Sequence, residues 1–407
     1  MKNKDIIFFE FESWFDLTIQ RPQQIASRLA KENRVIYIEG PGTLLQWLLG
    51  SKNKKHFGRF FSNIFFEHDK TKNLFIYRPP LRWYPFERIP LIAKIYFHLC
   101  IIPFLRKKIA ILEMKKPVLW LSEPMGIILT NNIPHSGIVT DWAFSWLDRA
   151  VMKIKKNIFF KPIFFLNVKM KKYWADKILK ESDIVFTSAM RYYDEARKLN
   201  ENTYLFYPGA DFNDFVVPEQ SVKNKRDKKP GLAILALCST FSSAFIDVAS
   251  IEIVAKTHPE WKMILIGGID KNMEWLKIYE NIEFVGYVPH KDLGRFFEKA
   301  DIFVIPYKDT TQTQSGIPTK LPEFLVYGKP VVCTYLTELE RAADFRDVIY
   351  LTKTPMEFLA AIENARREDN TEKRMKRIEI AKQYDWDIIV EKMADLVEDR
   401  LFKNNEI

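Results

Sequence analysis

Short apolar runs recur along this chain, separated by segments with helical spacing, and that alternation constrains the fold more than any other feature. Ile6–Phe9 reads as a strand. Pro22 then stands where a helix can begin, and Ile25, Ala26 and Leu29 recur behind it at helical spacing. A second strand, Arg34–Glu39, ends in Gly40-Pro-Gly42. Strand, helix and strand in that order predict a βαβ unit on a parallel sheet. Further strands are expected at Val118–Leu121, Gly137–Thr140 and Ile184–Thr187, with a long irregular insertion over about residues 50–115.

The alternation restarts after a polar, proline-bounded stretch at 218–230, which reads as a linker. Strands are expected at Leu232–Leu237, Lys262–Ile266, Ile282–Phe284, Ile302–Ile305, Val331–Thr334 and Val348–Leu351. Tyr384–Phe402 reads as an amphipathic helix. The expected architecture is α/β, with two doubly wound domains. Residues 1–210 form the first and 211–384 the second, and the helix of 385–407 packs back on the first. Ligands of such sheets bind beyond the carboxyl ends of the strands, so chemistry is sought just after each strand.

Composition narrows the setting. The 407 residues are ample for two cores. Cys100, Cys238 and Cys333 lie far apart and make no C-x-x-C pair, so neither a disulfide framework nor a zinc site is indicated, and the six histidines show no metal spacing. Residues 1–210 carry 34 Lys and Arg against 19 Asp and Glu, and the remainder 28 against 33. A basic half of this kind suits an anionic surface. The first residues lack the apolar length of a secretory signal, and the apolar stretch Ile95–Leu105 is too short to span a bilayer. A cytoplasmic protein, peripheral on the inner face of the cell membrane, is expected. Arg78, Arg82, Trp83, Tyr84, Arg106 and Lys107 mix with aliphatics in the insertion, and residues 151–174 repeat the mixture. Such stretches either meet an anionic bilayer or form a buried helix pair with snorkelling lysines. No nucleic-acid-binding motif is present.

The most informative segment runs from Phe284 to Thr334. It contains Gly286-Tyr-Val-Pro289, Leu293 with Ala300-Asp301, Phe303-Val-Ile-Pro306, Pro318-Thr-Lys320-Leu-Pro-Glu323 and Gly328-Lys-Pro-Val-Val332. In order and spacing these resemble the donor-binding domain of GT-B glycosyltransferases, the family-4-like group with its teichuronic-acid and xanthan-type relatives. Tyr207–Phe215 resembles the interdomain turn of that group. The resemblance implies two Rossmann-like domains facing a central cleft, with a nucleotide sugar as substrate and no cofactor or bound metal. By that resemblance Lys320 stabilises the leaving phosphate and Glu323 holds a ribose. Ser239 and Thr240 lie beside the donor phosphates, and Tyr287 lies near the base; Gly267-Gly268, which also follows a strand, allows a donor to approach the backbone closely. Thr313, Gln314, Ser315 and Gly316 make the loop before the Lys320 helix. The residues fit chemically, since an ammonium suits a diphosphate and a carboxylate accepts two hydroxyls. The plainer alternatives are an exposed Lys320–Glu323 pair, an ordinary turn at Ser239-Thr240 and a core Tyr287. Retaining members of the group carry a glutamate where this chain has Ser315, which leaves the stereochemical outcome open.

In the first half, Trp14 and Arg21-Pro-Gln-Gln24 resemble the start of the teichuronic-acid-like group, which places both on the acceptor side. Arg21 either meets an anionic ligand or opens a helix in solvent. Asp141 directly follows a strand and either deprotonates an acceptor hydroxyl or caps a helix. Glu123 and His135 are weaker candidates for the same task. The expected activity is transfer of a sugar from a nucleotide diphosphate to a lipid-linked or polysaccharide acceptor in bacterial cell-surface glycan synthesis. The alternatives are a non-catalytic sugar-nucleotide-binding scaffold at the membrane and a GT-B-shaped epimerase.

Overall fold

The computed structural model describes residues 1–10, 13–14, 20–40, 63–68, 71, 73–80, 89–143, 161–212 and 231–403. The stretch at 218–230, the aromatic cluster at 82–88 and much of the basic-aromatic stretch after 150 lie outside them. The chain divides into two compact units. One comprises 1–188, 192–206 and 390–407; the other comprises 189–191 and 207–389.

The first unit is built on an eight-stranded sheet. Its strands are β1 (Asp5–Phe9), β2 (Arg34–Ile38), β3 (Ile64–Glu67), β4 (Leu74–Arg78), β5 (Val118–Leu121), β6 (Gly137–Trp142), β7 (Ile184–Thr187) and β8 (Thr203–Leu205). The order across the sheet is β3-β4-β2-β1-β5-β6-β7-β8. Every pairing is parallel except that of β3 with β4. Strand order reverses between β1 and β5. Residues Ile6–Phe9 and β5 are fully buried, as continuous apolar runs on a sheet covered on both faces must be. The expected irregular insertion is corrected here. Part of it is sheet, and Pro90–Tyr96, Phe97–Ile101 and Ile102–Ile111 form one continuous helical run.

The second unit carries an all-parallel sheet of six strands. They are β9 (Ala233–Phe241), β10 (Lys262–Ile269), β11 (Ile282–Gly286), β12 (Ile302–Ile305), β13 (Val331–Thr334) and β14 (Tyr350–Thr352). Their order is β11-β10-β9-β12-β13-β14. The chain winds outward from β9 in one direction, returns, and winds outward from β12 in the other. The switch point therefore falls between the ends of β9 and β12.

Side chains alternate across this sheet with the period of two that a pleat imposes. Leu235, Ile264, Ile266, Phe303, Ile305, Val331 and Cys333 join one core, with Leu321, Phe324 and Phe297 from the helices on that face. Ile234, Ala236, Met263, Leu265, Ile302, Val304 and Val332 join the other, with Ile251, Val254, Phe358 and Ile362. Phe324 lies flat on Phe303, with ring centroids 4.3 Å apart and planes 5° from parallel. That contact anchors the helix Lys320–Val326 to β12. Gly328 ends the same helix at φ 64°, a left-handed position that suits glycine. Further along, the Ala210 N–H donates to the Tyr384 carbonyl and the Trp386 N–H to that of Ala210. A Cβ on Gly209 would lie 2.5 Å from the Tyr384 carbonyl oxygen, so the close pairing of these segments requires glycine there.

Candidate functional site

Lys320 is the first residue of its helix and is buried at 9% exposure, against the alternative of a surface Lys–Glu pair. Its Nζ donates to the Leu237 carbonyl on β9 at 2.5 Å and to the Tyr307 phenol oxygen at 2.7 Å. Tyr307 lies two residues past the end of β12, and Leu237 one residue past the last pairing of β9 with β12, so one ammonium joins the two strands that flank the switch point. Burial works against the Lys320 charge. The neighbouring Tyr307 and Cys238 side chains more than offset it, and the net shift is upward. Burial also raises the Tyr307 phenol above its ordinary value, with the ammonium opposing.

The main chain around Tyr307 is tied down on several sides. The Thr334 hydroxyl donates to the Tyr307 carbonyl at 2.6 Å. The Asp247 N–H donates to Pro306 and the Lys308 N–H to Phe245. Ile246 and Tyr307 form an antiparallel bridge.

The loop before the helix holds its own shape. Thr313 Oγ1 donates to the Lys308 carbonyl at 2.5 Å and accepts from the Thr310 N–H at 3.0 Å. Gln314 spans to the end of β13, donating to the Tyr335 carbonyl and accepting from the Thr337 N–H. Ser315 Oγ donates to the Gln312 carbonyl at 2.7 Å. A Cβ on Gly316 would meet nothing within 4 Å, so this loop leaves open space there.

Ser239 and Thr240 are exposed but sit within β9, since that strand continues to Phe241. The ordinary turn is thereby corrected. The β10 residues Gly268 and Ile269 pair with Thr240 and Phe241 across a shift in register. Gly267 permits that shift at φ 141°, where a Cβ would lie 1.8 Å from the Cys238 carbonyl oxygen. Tyr287 is 52% exposed, which removes the core reading. Glu323 Oε1 and His290 Nε2 are 3.2 Å apart. Helical spacing places Glu323 nearly one turn beyond Lys320.

In the first unit, Arg21 is not in solvent. Its Nε donates to both oxygens of Asp141 at 3.1 and 3.0 Å, and its Nη2 to Oδ1 at 2.9 Å. Nη1 donates to the Phe206 carbonyl at 2.9 Å. Asp141 is 1% exposed and Arg21 is 6% exposed. Asp141 is part of β6, neither beyond it nor capping a described helix. The Trp14 N–H donates to the buried Glu39 carboxylate at 2.7 Å, and its ring meets Tyr37 and His68 edge-on. Glu39 also pairs with Arg78 at 2.5 Å. Gln23 accepts from the Gln20 N–H and donates to the Ser13 carbonyl, so the Arg-Pro-Gln-Gln run orders the helix start and the Trp14 loop together. Glu123 precedes the turn Pro124–Leu129 at the end of β5.

Residues 243–367 match the family described as glycosyl transferases group 1. Over 151 residues the chain is 30% identical to a Bacillus subtilis (strain 168) protein assigned by name to teichuronic acid biosynthesis as the glycosyltransferase TuaH. That alignment covers 35% of this chain and 38% of the relative's length. The fold as a whole resembles sucrose-phosphate synthase from Thermosynechococcus elongatus, with a TM-score of 0.67 at 12% identity, over 98% of this chain and 99% of the other. The chain has the GT-B fold. Anabaena HepE, solved with UDP and glucose, matches the same GT-B fold with a TM-score of 0.61 at 14% identity, over 97% and 100% of the two chains. Among the described residues of the GT-B chain, no group of His, Cys, Asp and Glu could hold a metal ion. No described helix is long and apolar enough to cross a membrane.

Sequence reasoning passed over Tyr307, Thr334, His290 and Glu39. The signal for Tyr307 was its place one residue beyond Pro306 at the switch point. Glu39 was readable as an acid closing a buried strand. Nothing in the spacing marked His290 or Thr334.

Proposed function

We propose that this chain transfers a sugar from a nucleoside-diphosphate donor, held by the second unit, to a cell-surface glycan or its lipid-linked precursor. The observation that carries this reading is Lys320, a buried cation at the Rossmann switch point of the unit that matches group 1 glycosyltransferases. Its charge offsets the negative charge that gathers on the leaving diphosphate. Glu323 accepts from the ribose hydroxyls, and Tyr287 offers an exposed ring to the base. Ser239, Thr240 and Gly267 line the phosphate side. Thr313, Gln314, Ser315 and Gly316 line the sugar side. HepE, whose structures hold UDP, glucose and UDP-glucose, supports the donor class. The name of TuaH supports the acceptor class.

Arg21 engages both oxygens of Asp141. In this reading Asp141 holds Arg21, and through it the Phe206 carbonyl, and is not the free base expected from sequence. Trp14 and Arg21 remain assigned to the acceptor side.

The first unit presents a surface suited to an anionic bilayer. Along the helical run from Pro90 to Ile111, Leu91, Ile95, Leu99 and Ile111 are exposed, the first and third at 68% and 67%. Lys94, Arg106 and Lys107 are exposed along the same run. Apolar groups beside lysine and arginine match the boundary between acyl chains and anionic head groups.

A thermal-shift screen with UDP, GDP, dTDP and CMP tests the donor assignment. One nucleoside diphosphate should raise the melting temperature in proportion to its saturation. Lys320→Ala should weaken it by about ten- to a hundredfold, the worth of a charge-assisted hydrogen bond. A folded protein that binds no nucleotide and hydrolyses no sugar nucleotide would falsify the proposal.

A further inference from the structure

Lysine and tyrosine at the switch point have a hydrogen-bond inventory that does not close on the protein. A protonated lysine carries three N–H donors and no acceptor. Lys320 spends one on the Leu237 carbonyl and one on Tyr307 Oη, which leaves one. A phenol carries one O–H donor. Tyr307 Oη already accepts from Lys320, and an ammonium cannot accept in return, so the phenolic hydrogen is directed elsewhere. Among the described residues no oxygen accepts it. One N–H and one O–H therefore stand 2.7 Å apart, measured between their heavy atoms, beside Leu237, one residue past the last pairing of β9 with β12. Two adjacent donors with one positive charge suit the neighbouring oxygens of a single phosphate group.

The support behind Tyr307 fits a placed group better than a filler. Its carbonyl accepts from Thr334, its flanking residues bond to Phe245 and Asp247, and Ile246 bridges to it across an antiparallel contact. The Lys320 ammonium also lies 4.9 Å from the centre of the Tyr307 ring. That distance allows a cation–π attraction which would survive loss of the hydroxyl.

We infer that Tyr307 is a second phosphate-binding group of the donor site, positioning Lys320 through its phenol oxygen and donating its own O–H to the terminal phosphate of the nucleoside diphosphate. The inference rests on the donor reading above and adds a specific residue to it. Group transfer then draws on two donors at the leaving group, one charged and one neutral.

The test is calorimetric titration of the full chain with UDP, GDP and dTDP, each beside its monophosphate, on the wild type, Tyr307→Phe and Thr334→Val. Phenylalanine keeps the ring and loses only the hydroxyl. Tyr307→Phe should weaken the best diphosphate about five- to thirtyfold and leave the matching monophosphate unchanged. Thr334→Val, which frees the Tyr307 carbonyl without touching the phenol, should give a smaller loss of the same selectivity. It also serves as the test should Tyr307→Phe fail to fold. Equal losses for diphosphate and monophosphate, or no loss for either, overturn the role of Tyr307 and leave the donor site standing. A wild type that binds no nucleoside diphosphate removes the donor reading itself.

Discussion

Arg21 and Asp141 lie 120 positions apart in sequence, yet their side chains form a two-pronged pair with almost no exposure to water. Such a pair contributes little relative to an apolar replacement, because removing both charges from water costs most of what their attraction returns. Losing one partner is different, since the other charge then stays buried and uncompensated. Asp141→Asn is therefore expected to destabilise the fold by about 3–5 kcal/mol in urea denaturation. A general base predicts something else, namely wild-type stability with turnover lost. Finding that pattern would return Asp141 to the catalytic role suggested by its sequence position. Substituting Arg21 alone should cost stability on the same scale, while Arg21→Met with Asp141→Leu should recover most of it.

Elements carry their own constraints, and glycine shows where. Gly267 occupies a left-handed φ, and its missing Cβ makes room for the Cys238 carbonyl where β9 and β10 shift register. Gly316, at φ −170°, is in ordinary extended backbone with open space around it. Gly267→Ala should lower the urea midpoint by the equivalent of at least about 2 kcal/mol, and Gly316→Ala should stay within about 0.5 kcal/mol of wild type. Reversed magnitudes would refute the assignment. The strands differ in what could be read before folding. Val118–Leu121, Ile184–Thr187, Ile302–Ile305 and Val331–Thr334 were legible to the residue, because a parallel strand buried on both faces is a bare apolar run bounded by polar residues. The far ends of β9 and β10 were not legible. Cys238 to Thr240 and Gly267 to Gly268 have no apolar pattern, and they meet across a shift in register that no local sequence signal marks. β3 and β4 escaped because their aromatic residues sit among charges in a stretch with no clean periodicity, and β8 because three residues carry no pattern at all. At the site, Lys320 and Glu323 were visible through their neighbours in sequence. The burial that gives Lys320 its role is made by Leu237 and Tyr307, which only the sheet order brings to it.

At the scale of the whole molecule, net charge and apolar exposure point the same way. The basic half of the chain forms most of the first unit, and that unit carries Leu91, Ile95 and Leu99 as an exposed stripe along one helical run. Vesicles containing phosphatidylglycerol should retain the protein in sedimentation. Pure phosphatidylcholine should retain far less, and added salt should release the bound fraction. Leu91→Ser with Leu99→Ser should reduce retention at least about tenfold without altering the melting temperature, since little packing is lost. Equal retention on neutral and anionic vesicles, or retention untouched by the serines, would argue against a bilayer partner.

The first unit is assembled from both extremities of the sequence. Residues 390–403 close it, with Leu401 packed where a Cβ on Gly137 would stand and with Phe402 beneath the Lys4 ammonium at 3.9 Å. On the ribosome this has an asymmetric result. The sheet of β1–β8 cannot bury that flank until residues 390–403 have left the exit tunnel, whereas the second unit is complete once residue 389 is out. The older half of the nascent chain is thus the one left longest with apolar surface uncovered, and it finishes after the younger half.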